Sequence, residues 1–286
     1  MIATATWLDA CVLGLVGLLV GSFLNVVIHR LPKMMELRWA AECADFQADD
    51  GEVLQPAPLQ RFNLMVPRSR CPNCGHLIRW HENIPVASYL FLRGRCSACR
   101  TAISPRYPLI EVINCLLFTW CGWRWGMGVT AVAWCGFSAA VLALACIDWD
   151  TTLLPDDITL PLLWAGLCAA AAGITTTSLP DALWGAVAGY LSLWLVYWTF
   201  KFATGKEGMG YGDFKLFAAL GAWFGWEALI PMILMASLIG AVIGIGMKVF
   251  SLLREGGYMP FGPFLALAGL TSLLFGPQSI LSALGL

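Results

Sequence analysis

Six stretches of the chain contain no Asp, Glu, Lys or Arg: 10–29, 125–147, 158–180, 182–200, 228–247 and 256–286. They are 20, 23, 23, 19, 20 and 31 residues long, and a helix needs about 20 apolar residues to cross a ~30 Å hydrocarbon core. Two weaker stretches join them: 107–123, interrupted by Glu111, and 216–226. Extended back to Asp213, the second gives a helix only about 21 Å long at 1.5 Å per residue. The pattern predicts an all-α polytopic membrane protein with about eight transmembrane helices, the sixth the shortest. Residues 1–9 carry no Lys or Arg and end on Asp9, which is not the positive lead-in of a secretory signal. The first segment reads as a permanent anchor.

Composition narrows the class further. Of 286 residues, 59% are hydrophobic and 12% charged, too few charges to cover the surface of a water-soluble domain. The hydrophobicity excludes a disordered chain. The net charge of −1 lacks the positive surplus of a nucleic-acid binder.

Near-neutrality hides a strong sidedness. Eleven of the 17 Lys and Arg residues lie in 30–106. With eight alternating crossings, Lys201, Lys206, Lys215, Lys248 and Arg254 fall on that same side and Arg124 alone falls opposite. Cytoplasmic loops carry the excess of basic residues, so 30–106 is expected in the cytoplasm. The connections 148–157 and 201–213 open on that side too. Three parts are expected: an anchor over 1–29, a cytoplasmic metal-binding loop domain over 30–106, and a multi-helix membrane core over 107–286. Within the loop, 40–60 reads as an exposed excursion.

Two motifs carry chemistry. In the loop, Cys71-Pro-Asn-Cys74 and Cys96-Ser-Ala-Cys99 form a zinc-ribbon pattern, in which two knuckles supply four thiolates in a tetrahedron. A reducing cytoplasm disfavours disulfides, and four thiolates leave no open position for catalysis. The expected metal is therefore a structural zinc. His76 and His81 read as solvated loop residues, and most of the other seven cysteines as small hydrophobes in apolar runs.

The second motif is acidic. Carboxylates gather at Asp148, Asp150, Asp156 and Asp157, and at Asp213 behind the alternating glycines Gly208, Gly210 and Gly212. Carboxylates at a membrane boundary are costly unless solvated or used. Asp156 or Asp157 reads as the N-cap of a helix after Pro155; for Asp213 a cap and a catalytic role are both open. The glycines favour the second, because they let an extended peptide approach the carboxylate closely. A nucleotide-binding G-x-G-x-x-G loop does not fit, since no strand precedes it and the third glycine is misplaced. Two close carboxylates cannot both ionise, and such a pair hydrolyses a peptide bond with one acting as base and the other as acid. Chemistry alone leaves open whether Asp148 or Asp150 partners Asp213.

Several motifs occur in a fixed order: Gly21-Ser-Phe-Leu-Asn25 through Pro32, the four cysteines, Ile84-Pro85, Ser88-Tyr89-Leu90, Ile103 through Glu111, Ile147-Asp148 with Leu154-Pro155-Asp156, Gly208 through Lys215, and Met259 through Ala266. In these the chain resembles the bacterial type IV prepilin peptidases, membrane aspartyl proteases of the G-x-G-D type. The resemblance implies Asp148 and Asp213 as the catalytic pair. It implies removal of the basic leader from type IV prepilins and type II secretion pseudopilins at the cytoplasmic face of the bacterial inner membrane. It also implies methylation of the new N-terminus with S-adenosylmethionine, to which Asn25, Glu111, Arg93 and Arg95 could contribute. The lipid bilayer and the pilin-like substrates are the partners implied. Two other classes compete: an ion- or proton-coupled transporter, which needs acids near the bilayer midplane, and a non-enzymatic zinc-ribbon scaffold of a secretion machine. Most of the 35 aromatic residues read as an interfacial belt.

Overall fold

The computed structural model describes residues 6–48, 62–250 and 259–283. Among them the regular structure is helical, and the chain divides into two compact units, Trp7–Gly122 and Trp123–Leu286.

The first unit is built on two long helices, α1 (Trp7–Ala48) and α3 (Arg106–Trp125), with a five-residue helix, α2 (Ala87–Phe91), between them. The approach of α1 to α3 is set by glycines at helical spacing. A Cβ added at Gly17 would sit 2.9 Å from the Asn114 carbonyl oxygen, and one at Gly21 would sit 2.8 Å from Glu111 Cα. Small residues in such a stripe let backbones touch, the usual basis of helix pairing in lipid. Asn114, fully buried, donates to the Gly17 carbonyl at 2.7 Å. The expected excursion begins as helix: α1 continues through Pro32 with an exposed arm over 36–46, while 49–61 lie outside the described residues. At the base of that arm Arg30 clasps the returning chain, donating to the carbonyls of Asn63 (2.9 Å) and Pro67 (2.6 Å).

The second unit contains α4 (Val129–Thr151), α5 (Asp156–Ala171), α6 (Leu179–Thr204), α7 (Tyr211–Phe224), α8 (Leu229–Val249), α9 (Gly262–Phe275) and α10 (Pro277–Ala283). The eight helices of 14 residues or more among the described residues match the eight predicted segments in order. Four of them are by themselves long and apolar enough to cross a membrane: Trp7–Phe46, Val129–Thr151, Leu179–Thr204 and Trp226–Val249. The apolar run 158–180 does not become one long helix. α5 stops at Ala171, and the chain leaves through Gly173 (φ +66°) into a loop that is held down where Thr177 donates to the Trp223 carbonyl at 3.0 Å.

α7 is the innermost element. From Gly212 to Phe224 no residue is exposed, as a helix that is apolar on every face requires. It lies against α6 through Gly185 and Gly221, whose backbones meet with no side chain between them, and against α5 through Gly166, which faces the Trp223 ring. The Trp223 indole donates to the Leu162 carbonyl at 2.9 Å and packs at a tilt against the rings of Trp134 and Phe137 of α4.

Candidate active site and metal centre

Asp148 lies one turn before the end of α4. The helix terminates at Thr152, which is left-handed (φ +56°) and returns its N–H to the Asp148 carbonyl at 2.8 Å. This tight ending turns the chain sharply, so Leu154 comes back over the site. Asp213 occupies the third position of α7. Gly210, not Asp213, is the N-cap, and the Asp213 N–H reaches the Gly210 carbonyl at 3.3 Å. Asp148 is 4% exposed and Asp213 6%, and the two side chains are near enough for their charges to repel.

The surroundings explain how these ends converge. Leu154 fits between two glycines: a Cβ at Gly212 would stand 2.6 Å from Leu154 Cβ, and one at Gly262 would stand 3.2 Å from Leu154 Cδ1. Gly262, the first residue of α9, also faces Asp148, with the same Cβ 2.6 Å from Oδ2. The carboxylate thus rests on the N-terminal end of α9, where the helix dipole favours negative charge. This neighbour belongs to the Met259–Ala266 motif, to which sequence reasoning gave no role.

Other acids do different work. Asp150 is exposed, so burial separates it from Asp148. Asp156 is a first-turn residue of α5, not its cap, which is Pro155. It holds Lys215 of α7 through both oxygens, each 2.7 Å from Nζ. The alternating glycines also divide. Gly208 packs on the Phe200 ring and Gly212 on Leu154, while a Cβ added at Gly210 would meet nothing nearer than Asp213 Oδ2 at 3.9 Å. Only Gly210 therefore has the open backbone that the sequence pattern attributed to all three. The lead-in is tied to α6 by Lys201, which reaches Glu207 at 2.8 Å and the Tyr197 hydroxyl at 3.2 Å. Beside it lies an apolar cavity of about 180 Å³ lined by Val196, Tyr197, Phe200, Gly208 and Met209.

In the first unit the four cysteine sulfurs lie within 4.8 Å of one another. Cys71 and Cys99 are 3.8 Å apart, Cys74 and Cys96 4.0 Å. Tetrahedral zinc with bonds of about 2.3 Å places its thiolates about 3.8 Å apart, so the cluster fits a metal ion of that kind. The knuckles repeat one design. Cys71 donates its N–H to the His76 carbonyl and Cys96 to that of Thr101, both at 2.9 Å, and antiparallel bridges Arg70–Leu77 and Arg95–Ala102 close each turn. The turns pass through left-handed residues, Gly75 (φ +71°) in one and Arg100 (φ +61°) in the other. The Thr101 hydroxyl and backbone, with the Asn73 amide, draw the Cys99 thiol down to about 5, toward the thiolate that a metal requires.

Neither histidine joins this cluster. His76 pairs with Glu82 (3.2 Å), and His81 lies edge-on to Trp80. The Arg79 amide, the Ser97 side chain and His76 together hold Glu82 down to about 2. Asn25 and Glu111 form internal ties: Asn25 donates to the Tyr107 carbonyl at 3.1 Å, and Glu111 accepts from the Val86 amide at 2.7 Å. Arg93 and Arg95 are exposed.

The fold and site define a multi-pass helical membrane protein that buries two neighbouring aspartates and carries a metal-ready four-cysteine unit. Residues 15–125 match the family model described as the bacterial peptidase A24 N-terminal domain, and 135–245 match that of the type IV leader peptidase family. The chain is similar to proteins named prepilin leader peptidase/N-methyltransferase. That of Pseudomonas aeruginosa is 54% identical over 265 residues, covering 92% of this chain and 89% of the relative. That of Aeromonas salmonicida is 50% identical over 270 residues, covering 94% and 92%. That of Burkholderia pseudomallei is 52% identical over 264 residues, covering 91% and 83%. No solved structure matches the chain. The chain belongs to the type IV leader peptidase family.

Proposed function

We propose that Asp148 and Asp213 are the catalytic pair with which this chain removes the leader from type IV prepilins and type II secretion pseudopilins. The observation that carries the reading is the convergence of two carboxylates, 4% and 6% exposed, from the ends of separate helices. Buried carboxylates whose charges repel share one proton. The ionised one takes a proton from water as the water oxygen bonds to the scissile carbonyl carbon, and its partner protonates the carbonyl oxygen. In collapse, the first carboxyl gives its proton to the departing amine nitrogen and the second recovers one from the intermediate's hydroxyl. The carbon–nitrogen bond breaks and the pair returns to its starting state. The two groups titrate as a unit, so the roles belong to the pair.

The open backbone at Gly210 leaves room beside Asp213 for an extended substrate. The sixteen-to-one charge asymmetry supports a site on the cytoplasmic face of the bacterial inner membrane. The names of the relatives support a second step on the freed N-terminal amine. The nitrogen takes the methyl group of S-adenosylmethionine, S-adenosylhomocysteine leaves, and the amine loses a proton. Zinc held by Cys71, Cys74, Cys96 and Cys99 would have no open coordination position and would hold the loop's fold.

Purified protein incubated with a prepilin and isotope-labelled S-adenosylmethionine tests both steps by the mass of the product. Asp148→Asn or Asp213→Asn is expected to leave membrane insertion intact and abolish leader removal. Normal processing by either variant would overturn the assignment.

A further inference from the structure

The four-cysteine unit does not stand clear of the membrane-spanning helices. Glu111 Cα packs on Gly21, and Gly21 lies in the middle of the uncharged run 10–29 of α1, about 12 Å from its end at 1.5 Å per residue. The Glu111 carboxylate holds the Val86 amide at 2.7 Å. Val86 is a β-branched residue forced to φ +58°, a conformation that persists only where the surroundings impose it. α2 begins at the next residue, so it starts beside the apolar part of α1 and not beyond it. Two of its side chains have no cover among the described residues: Leu90 is 68% exposed and Phe91 88%. Ile84, at the foot of the same turn, is 44% exposed.

Charge supplies the second half of the argument. Residues 62–106 contain seven arginines, no lysine and one acid, Glu82, whose carboxylate is taken up by Arg79 N and His76. Arg93 and Arg95 follow α2 directly, both are exposed, and neither meets a carboxylate among the described residues. Bare apolar side chains followed by uncompensated arginines complement an anionic lipid surface, with the rings among acyl chains and the guanidinium groups at phosphate level.

We infer that residues 84–95 form a lipid-seated wedge: Leu90 and Phe91 enter the bilayer beside α1 and α3, and Arg93 and Arg95 bind anionic headgroups. The occupant of this surface is lipid, not another protein. Seating the loop this way fixes the height of the four-cysteine unit over the membrane without using the metal.

The test uses the full chain with the photoreactive residue p-benzoylphenylalanine replacing Phe91, in nanodiscs containing equal phosphatidylglycerol and phosphatidylcholine. The same replacement at Leu37, on the exposed arm of α1, is the reference. After irradiation, intact mass is expected to show a phospholipid adduct at position 91 and none at 37. Phosphatidylglycerol should be favoured roughly thirtyfold, the worth of two arginines at an anionic surface, and Arg93→Glu with Arg95→Glu should remove the preference. Retained zinc reports folding, and replacement at Leu90 reads the same contact if the Phe91 variant loses its metal. Absence of lipid adducts at both positions, or adducts to a second protein in native membranes, would overturn the inference.

Discussion

Replacing Gly262 with alanine should disable the peptidase without unfolding it. The added Cβ would stand 2.6 Å from Asp148 Oδ2 and 3.2 Å from Leu154 Cδ1, whereas ordinary contact begins at 3.4 Å. Leu154 is the end of a flexible side chain and yields a few tenths of an ångström. The carboxylate has to retreat by about 0.8 Å, the difference between 3.4 and 2.6 Å. A water hydrogen-bonded to it at about 2.8 Å would then be about 3.6 Å away, beyond hydrogen-bonding range. Misplacing a reacting group by about 1 Å costs roughly a hundredfold, so kcat should fall about 10- to 100-fold. KM should stay nearly unchanged, because Gly262 does not bind the substrate in this reading. Alanine is at least as good a helix former as glycine, and α9 should lose no stability of its own. Initial rates of leader removal against prepilin concentration, with methylation of a pre-cleaved pilin as an internal control, give the split. A kcat within twofold of the parent would refute the idea that α9 positions Asp148.

Further outcomes follow from the metal unit. The purified chain should carry one equivalent of zinc by elemental analysis, and Cys71→Ser should lower both zinc content and the thermal midpoint; full stability after chelation would count against a structural metal. Arg100→Gly should stabilise the second knuckle by about 1 kcal/mol, since it removes a side chain from a left-handed position that the first knuckle gives to Gly75; slower amide exchange at Cys96 would register it. Glu82 is held at about 2, below its ordinary 4.5. Its contribution is therefore complete above about 4.5 and is lost as the pH falls through 2. At pH 7 Glu82→Gln should speed exchange of the Arg79 amide, and the difference between variant and parent should disappear at the acid end.

Much of this was legible in the sequence because scarcity of charge is an unambiguous signal in lipid. The eight apolar segments, their order and the four-cysteine pattern could be read from spacing alone. The lengths of individual helices could not. A run such as 158–180 reads as one span because lipid and protein interior are equally apolar, yet Gly173 and the contact from Thr177 end α5 at Ala171. α7 looked marginal for a related reason: its 14 residues are buried by protein, so bilayer thickness does not set its length. At the site, Asp148 and Asp150 have the same chemistry, and only the packing of α4 shows which of its faces is buried, since residues two apart point to different sides of a helix. The alternation of Gly208, Gly210 and Gly212 looked like one device, but backbone direction sends two of them against Phe200 and Leu154. Gly262 carried no chemical signal of its own, since its contribution is the space it leaves.

The contact between Gly185 and Gly221 bears on how the enzyme tolerates its lipid. A helix facing the bilayer answers a thicker or thinner membrane by tilting or shifting. α7 presents no exposed residue between Gly212 and Phe224 and is braced backbone to backbone on α6. Hydrophobic mismatch therefore acts on the surrounding helices, while the depth of Asp213 is measured from a neighbouring peptide group. A change in acyl-chain length should alter how readily substrate reaches the pair and leave the chemistry proposed for the two carboxylates unchanged.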